Sequence, residues 1–158
     1  MKRRSWLVGL LAVSLAGCAS MSPPQSVTDI LAREPELSTL NKLVADAGLT
    51  STLNGAGPFT VFAPTNAAFA KVPTRTMDEL ARDPKRLQAL LTYHVLPART
   101  MAGDVKPGSA KTVQGGSVAL GSTAGYVNVE GALVTRADLT ASNGVVHVID
   151  AVLLPPSL

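Results

Sequence analysis

The sequence predicts an α+β domain in which short helices pack on a twisted antiparallel β-sheet or a small β-sandwich. Three observations favour this class. Apolar residues recur at helical spacing in the first half of the chain, they alternate with other residues from position 93 onward, and glycine turns separate the alternating runs. Aromatic residues make up only 4% of the chain, so its core has to be aliphatic.

The helices are predicted from apolar spacing and capping residues. Apolar residues between positions 27 and 31 predict a first short helix that ends before Pro35. Ser38 is the predicted cap of a second helix, which Gly48 ends. The apolar positions of this second helix are Leu40, Leu43, Val44 and Ala47.

The middle of the chain combines one strand with three further helices. A turn over residues 55–58 precedes a buried strand at 59–62, and Thr65-Asn66 begins the next helix. Thr76 and Glu79 have the spacing of a capping box. Asp83-Pro84 places a cap and a first-turn proline at the start of a last helix.

The remaining strands are predicted from alternation between glycine turns such as 115–116 and 121–125. They comprise residues 93–96, 113–120, 126–129, 133–134 and 145–154. The last of them is apolar on both faces, which predicts a central strand covered from both sides. His147 lies in it and is therefore expected to be a buried, hydrogen-bonded structural histidine.

The first 17 residues predict a secretory signal peptide. Lys2, Arg3 and Arg4 form a basic start, an apolar run follows over residues 6–15, and small residues come next. The apolar run is about half of the roughly 20 residues that a membrane-spanning helix needs. A removable signal is thus favoured over a permanent span.

The only cysteine, Cys18, directly follows this segment in the tetrapeptide Leu-Ala-Gly-Cys. The tetrapeptide resembles the bacterial lipobox, in which the thiol takes a diacylglycerol, the chain is cut before the cysteine and the new amine is acylated. The resemblance implies lipidation of Cys18, with palmitate as a label for it; an ordinary cleaved signal is the alternative. Residues 18–26 then form a lipidated tether, and residues 27–158 form the domain.

The charge balance argues against nucleic acid as a partner. The chain has 14 Lys plus Arg and 11 Asp plus Glu, but residues 1–17 hold three of the basic residues and none of the acidic ones. The processed chain is therefore formally neutral and lacks a basic footprint. One cysteine and two histidines do not indicate a metal cluster, and no cofactor besides the lipid is expected.

Three segments resemble the fasciclin (FAS1) family. Residues 57–69, GPFTVFAPTNAAF, resemble its first signature block, and residues 143–155, NGVVHVIDAVLLP, resemble its last. Between them, residues 91–96, LTYHVL, resemble the family's central Tyr-His segment. The resemblance runs from about residue 27 to 155 and implies a single fasciclin-like domain, here on a bacterial lipoprotein.

The resemblance also implies candidate adhesion residues. In animal relatives the Tyr-His segment is associated with adhesion to integrins, and Tyr93 and His94 occupy it here. On a strand these two side chains point to opposite faces, so that one can pack while the other is exposed. A second adhesion element of those relatives contains an Asp-Ile pair, and Asp138-Leu139 takes its place here without the rest of the element. Adhesive and structural roles both stay open for these residues.

An enzyme is not indicated. Ser142, His147 and Asp150 lie close together in the sequence, but on a strand His147 and Asp150 face opposite sides. The sequence contains no phosphate-cradling, HExxH or dinucleotide-binding motif. We therefore expect a binding protein without catalytic residues.

Two functions remain. The first is a lipid-anchored, extracytoplasmic module of the cell envelope that binds a protein or extracellular-matrix partner in adhesion. The alternative is a periplasm-facing module for a small apolar ligand or a partner protein, indicated by the aliphatic composition and the turn at 121–125, or a structural envelope component. In many bacteria with two membranes, an aspartate directly after the lipidated cysteine favours retention in the inner membrane. Ala19 occupies that position here and therefore implies the outer membrane in such a cell. The partner, the oligomeric state and the side that the domain faces stay open.

Overall fold

The α-helices lie within residues 27–93, and all strands except the first follow them, which confirms the predicted α+β class. The computed structural model describes residues 25–156. The helices are α1 (Val27–Arg33), α2 (Ser38–Asp46), α3 (Thr50–Leu53), α4 (Asn66–Ala70), α5 (Thr74–Arg82) and α6 (Pro84–Tyr93). The strands are β1 (Phe59–Pro64), β2 (Val95–Leu96), β3 (Gly108–Lys111), β4 (Ser117–Thr123), β5 (Tyr126–Val129), β6 (Ala132–Ala141) and β7 (Gly144–Ile149). Two short 3-10 helices cover Pro35–Leu37 and Ala102–Asp104.

Several helix ends follow the predicted capping residues. The hydroxyl of Thr65 accepts a backbone N–H of α4 at 3.1 Å. Asp83 caps α6 with a carboxylate oxygen 3.0 Å from a first-turn nitrogen, and Pro84 takes the first helical position. Gly48 has φ +69°, a left-handed conformation that suits glycine, and it follows α2 as predicted.

Two predicted caps are wrong. Ser38 is the first residue of α2 rather than its cap; the side-chain oxygen of Asn66, in α4, accepts a first-turn N–H of α2 at 2.9 Å. Thr76 lies inside α5, which begins directly after Pro73, and therefore forms no capping box with Glu79. In both cases the local pattern is typical of a cap, but the chain enters the helix earlier than the pattern predicts.

The seven strands form one mixed sheet in the order β2-β1-β7-β6-β5-β4-β3. β1 and β7 are parallel, so the predicted, purely antiparallel sheet needs this correction, whereas the other neighbours are antiparallel. All six residues of β7 are buried, which confirms the central strand covered on both faces. β7 ends at Ile149, five residues before the predicted end.

The antiparallel half differs from its prediction in the strand limits. The strand predicted at 113–120 begins only at Ser117. The N–H and the hydroxyl of Thr112 both donate to the carbonyl of Gly116, and these two hydrogen bonds close a turn before the strand. β4 then continues to Thr123, which reduces the turn predicted at 121–125 to Ala124 and Gly125. These two residues have φ of +51° and +85°, as in a tight two-residue hairpin.

Apolar cores lie on both faces of the sheet. The helix-side core packs the helices on one face and includes Leu31, Leu40, Leu90, Val146 and Val148. The second core, which we call the sheet-side core, lies on the other face of the sheet and includes Phe62, Tyr93, Val118, Val129 and Ile149. Truncating a fully buried leucine in such a core costs about 2 to 5 kcal/mol. β7 contributes to both cores and thereby fixes the position of the other strands.

Candidate functional site

Tyr93 is buried at the end of α6. The residue is the last one of the helix and 3% exposed, and its hydroxyl donates a hydrogen bond to the carbonyl of Ser117 at 3.0 Å. Burial raises the pKa of the phenol, and the charge of Glu130 acts in the same direction. The Tyr93 side chain therefore ties α6 to the beginning of β4.

His94 follows as the C-cap of α6 and is 2% exposed. Its Nδ1 lies 2.8 Å from the carbonyl oxygen of Leu90, and its Nε2 accepts the N–H of Leu153 at 2.9 Å. A carbonyl can only accept, so Nδ1 carries the proton. Burial lowers the pKa of His94 to about 4, against the effect of the Leu90 bond, and the ring is neutral at pH 7.

The predicted arrangement of this pair is thus wrong. Tyr93 and His94 do not lie on a strand, and neither side chain reaches the surface. The helical spacing of Leu87, Leu90 and Leu91 continues to Tyr93, and the strand begins only at β-branched Val95. Any effect of this pair on a partner has to be transmitted through the residues that it supports.

Asp138 lies at an irregular point of β6. Its φ is +58°, and the pairing with β7 shifts in register both before Arg136 and between Arg136 and Leu139. The side chain is 38% exposed, and one carboxylate oxygen accepts the N–H of Ala102 at 2.8 Å. We call the segment Arg136–Leu139 the β6 bulge. It presents a carboxylate at the surface.

Leu139 stands next to Asp138 but has a different environment. Its side chain is partly buried and packs against the helix-side core, and the residue pairs with Val146 of β7. Leu139 and Thr140 also line a shallow surface groove with Ile30 and Arg33 of α1. The candidate Asp-Leu pair therefore combines one exposed charged group with one half-buried apolar group.

His147 is buried directly beneath the bulge, in agreement with the prediction of a structural histidine. Its Nδ1 accepts the N–H of Asp138 at 3.2 Å, and its Nε2 lies 2.8 Å from the carbonyl oxygen of Thr100. The ring stacks on Phe62 of β1, with centroids 5.7 Å apart. The side chain is 2% exposed.

The four candidate residues do not form one surface. Asp138 is bound to His147, whose ring stacks on Phe62, and the N–H of Phe62 donates to the carbonyl of His94 at 2.9 Å. The strands β1 and β7 thus separate Asp138 from His94. Among the candidates, only the β6 bulge offers an exposed polar group.

Arg136 is a residue of this surface that the sequence analysis did not select. One guanidinium nitrogen donates to Glu34 at 2.7 Å and to Glu36 at 2.8 Å, and these bonds raise the pKa of Arg136. The three side chains join the bulge to the segment after α1. About 100 residues separate the partners along the chain, so no local pattern could have identified them.

Asn143 explains much of the last signature block. Its side-chain nitrogen donates to the carbonyls of Leu53 and Gly55 at 2.6 and 2.9 Å, and its side-chain oxygen accepts the N–H of Val27 at 3.0 Å. The next residue is Gly144, where a Cβ would overlap the backbone carbonyl of Phe59. These residues hold α1, α3 and β1 at one end of the sheet, which is a structural role.

The geometry gives no support for catalysis by Ser142, His147 and Asp150. Both ring nitrogens of His147 are bonded to backbone groups, and Asp150 accepts the N–H of Leu133 at 2.8 Å. Within residues 25–156, no group of three or more Asp, Glu, His or Cys side chains is placed to hold a metal ion.

A small apolar cavity lies between α2, α3 and the strands β1 and β2. Its volume is about 20 Å³, enough for about one water molecule. The lining includes Leu49, Leu53, Val61, Leu91 and Val95. No helix in the described part of the chain has the length and hydropathy to span a bilayer. Cys18, with its predicted lipid, and the predicted signal peptide lie outside the described residues.

Comparison with known proteins gives consistent matches. The family model of the fasciclin domain matches residues 35–155. Protein sll1483 of Synechocystis sp. is 40% identical over 140 residues, which cover 87% of this chain and 78% of that protein. The cell surface glycolipoprotein MPB83 of Mycobacterium bovis is 38% identical over 149 residues, 91% of this chain and 65% of that protein.

Among solved structures, a FAS1 domain pair from the insect cell adhesion molecule fasciclin I has a similar fold. The TM-score is 0.68 at 20% sequence identity, over 84% of this chain and 52% of that one. The overall fold is therefore shared with this structure.

Proposed function

The chain belongs to the fasciclin family, and on this premise we propose that it is an extracytoplasmic binding module of the cell envelope that acts in adhesion. The observation that carries the proposal is the β6 bulge, where the Asp138 carboxylate is exposed beside the half-buried Leu139. The partner is a protein of another cell or of the extracellular matrix. The module has no catalytic residue and needs no cofactor.

The module is held at a membrane by a lipid on Cys18. The lipobox-like tetrapeptide that ends in Cys18 supports this, and the relative MPB83 is named a cell surface glycolipoprotein. Two or three acyl chains anchor firmly, since each buried methylene contributes about 0.8 kcal/mol. In a cell with two membranes, Ala19 favours the outer one. Labelling with palmitate tests the anchor: Cys18→Ser should lose the label, and a labelled variant would contradict lipidation.

In this proposal the candidate residues have different tasks. Asp138 and Leu139 meet the partner, whereas Tyr93 and His94, both buried, support the scaffold. Asp138→Asn is the sharpest test, because asparagine keeps an oxygen for the Ala102 N–H and tolerates a positive φ but removes the charge. Asp150→Asn is the matched control, because Asp150, directly after β7, accepts the N–H of Leu133 at the same distance of 2.8 Å.

The experiment compares attachment and aggregation of cells that carry the full chain, either variant or no chain, at equal surface amounts. Asp138→Asn should lower attachment about tenfold, as for the loss of a contact of about 1.4 kcal/mol, while Asp150→Asn leaves it unchanged. Protease treatment of intact cells first establishes whether the domain is on the outside, with a periplasmic protein as integrity control. Equal attachment with and without the chain would refute the adhesive function.

The apolar cavity supports a second candidate function, a periplasm-facing module for a small apolar ligand or a partner protein. Its lining is almost wholly apolar, but about 20 Å³ holds no more than one small group. A larger ligand requires α3, a helix of only four residues, to move away from β1. Native mass spectrometry of protein from fresh envelopes tests this candidate, and bare protein alone would speak against a ligand. A structural envelope component without a small-molecule site is the remaining alternative.

A further inference from the structure

The β6 bulge has a backbone conformation that needs support. Asp138 has φ +58°, which is uncommon for a residue with a side chain, although aspartate tolerates it better than most. The register shifts on both sides of Arg136 interrupt regular pairing with β7. Ladder hydrogen bonds alone therefore do not fix the direction in which Asp138 points.

The support comes from one side chain of the neighbouring strand. The Nδ1 atom of His147 accepts the Asp138 N–H at 3.2 Å, so a histidine nitrogen takes the place of a ladder carbonyl. The Nε2 atom lies 2.8 Å from the Thr100 carbonyl oxygen, which can only accept. These partners place a proton on Nε2 and leave Nδ1 as the acceptor. The stacked ring of Phe62 limits rotation of the imidazole.

The same network holds the segment Ala98–Ala102 over the bulge. The buried hydroxyl of Thr60 donates to the Ala98 carbonyl at 2.6 Å and accepts the Thr100 N–H at 2.9 Å. The carboxylate of Asp138 accepts the Ala102 N–H at 2.8 Å. His147 bonds both to the bulge and to this segment, so the position of one depends on the position of the other.

We propose that His147 is a positioning residue for the binding surface formed by Asp138 and Leu139, and that it orients Asp138 by accepting its backbone N–H. The inference rests on the proposed function, in which that surface meets the partner. It goes beyond a general structural role, because it predicts an effect on one surface that exceeds the effect on global stability.

His94 offers a matched control. It is as buried as His147, and it also bonds backbone groups through both ring nitrogens. Its partners are Leu90 and Leu153, and its proton lies on Nδ1 rather than on Nε2. Replacing either histidine by leucine removes two hydrogen bonds of a buried ring, but only His147→Leu removes the acceptor for the Asp138 N–H.

Two measurements on the purified full chain test the positioning itself. Nitrogen-15 NMR of the wild-type imidazole rings should show the proton on Nε2 in His147 and on Nδ1 in His94. A proton on Nδ1 of His147 would overturn the inference. Amide exchange at Asp138 and Ala102 should accelerate about tenfold more in His147→Leu than in His94→Leu at equal loss of stability. Equal acceleration would overturn it. His147→Asn, which keeps an oxygen near the Nδ1 position, should restore the protection of Asp138.

The adhesion readout separates this inference from the proposed function. If cells with the wild-type chain attach better than cells without it, His147→Leu should lower attachment as much as Asp138→Asn does, and His94→Leu should leave it at the wild-type level. Unchanged attachment with His147→Leu would overturn the inference and leave the proposed function intact. If the chain makes no difference to attachment, the proposed function fails, and the NMR measurements still decide whether His147 positions the bulge.

Discussion

Acid should destabilise this fold through His94. The neutral ring donates to the Leu90 carbonyl through Nδ1 and accepts the Leu153 N–H through Nε2. A second proton, on Nε2, would point at the Leu153 N–H, which is itself a donor, and His94 is only 2% exposed to water. Burial accounts for a pKa lowered from 6.5 to about 4, although the bond to Leu90 acts in the opposite direction.

The magnitude follows from the two protonation states. Between pH 6.5 and pH 4 the unfolded chain binds the proton and the folded chain does not, so the free energy of unfolding falls as the pH falls. The contribution of neutral His94 to the free energy of unfolding is fully present above pH 6.5 and is lost progressively toward pH 4. Between pH 7.5 and pH 5 the loss is about 2 kcal/mol, and it approaches about 3 kcal/mol below pH 4.

The assay is urea unfolding at pH 7.5 and pH 5 for the wild type and for His94→Gln, which cannot bind the proton. The carboxylates and His147 are common to both proteins, so the difference between their pH responses isolates His94. The wild type should lose about 2 kcal/mol more than the variant. Equal losses would refute the reasoning. An NMR titration in which the wild-type His94 ring becomes protonated near pH 6.5 would refute it independently.

Three further substitutions test individual features by urea unfolding. Asn143→Ala should cost about 2 to 3 kcal/mol, because it leaves a backbone N–H and two carbonyls without partners; a loss below about 0.5 kcal/mol would show that these groups find other partners. Gly144→Ala should cost about 1 to 3 kcal/mol, because its Cβ overlaps the Phe59 carbonyl, and wild-type stability would contradict that close approach. Arg136→Ala should cost less than about 1 kcal/mol, because the Arg136 side chain is 46% exposed and water screens its ion pairs; a larger loss, or no reduction of the loss by salt, would contradict this.

Local patterns predicted the parts of the fold whose causes lie within a few residues. Asp83-Pro84 fixes the start of α6, and the apolar residues on both faces of the strand predicted at 145–154 indicated the doubly covered β7. In both cases a short stretch of sequence contains the physical reason for the structure. The resemblance to the fasciclin family implied the fasciclin fold, and the family model and the solved structure confirm it.

The parts that the sequence could not predict depend on distant partners. Serine is a common N-cap residue, but Asn66, 28 residues after Ser38, supplies the oxygen that accepts a first-turn N–H of α2. The parallel pairing of β1 with β7 joins segments that are about 80 residues apart, and nothing in either segment specifies its direction.

The candidate site shows the same limit. Asp138 was selected through the resemblance, but its exposure depends on the β6 bulge, and the bulge depends on the nitrogen of His147 on the next strand. Tyr93 and His94 were assigned to a strand because they precede Val95 and Leu96, whereas packing extends α6 by one residue and buries both side chains. Whether any of the four residues contacts a partner stays a prediction.

The place of β7 in the sheet also governs when the chain can fold. β7 is the last strand of the described residues, and it lies between β1 and β6. A nascent chain that ends before Gly144 leaves both of these strands with an open edge and both cores without their central residues. Its long-range pairing delays completion of the fold until the chain has been synthesised through β7. Such late folding suits a protein with a predicted export signal, because a chain that is not yet folded can still be threaded through a membrane.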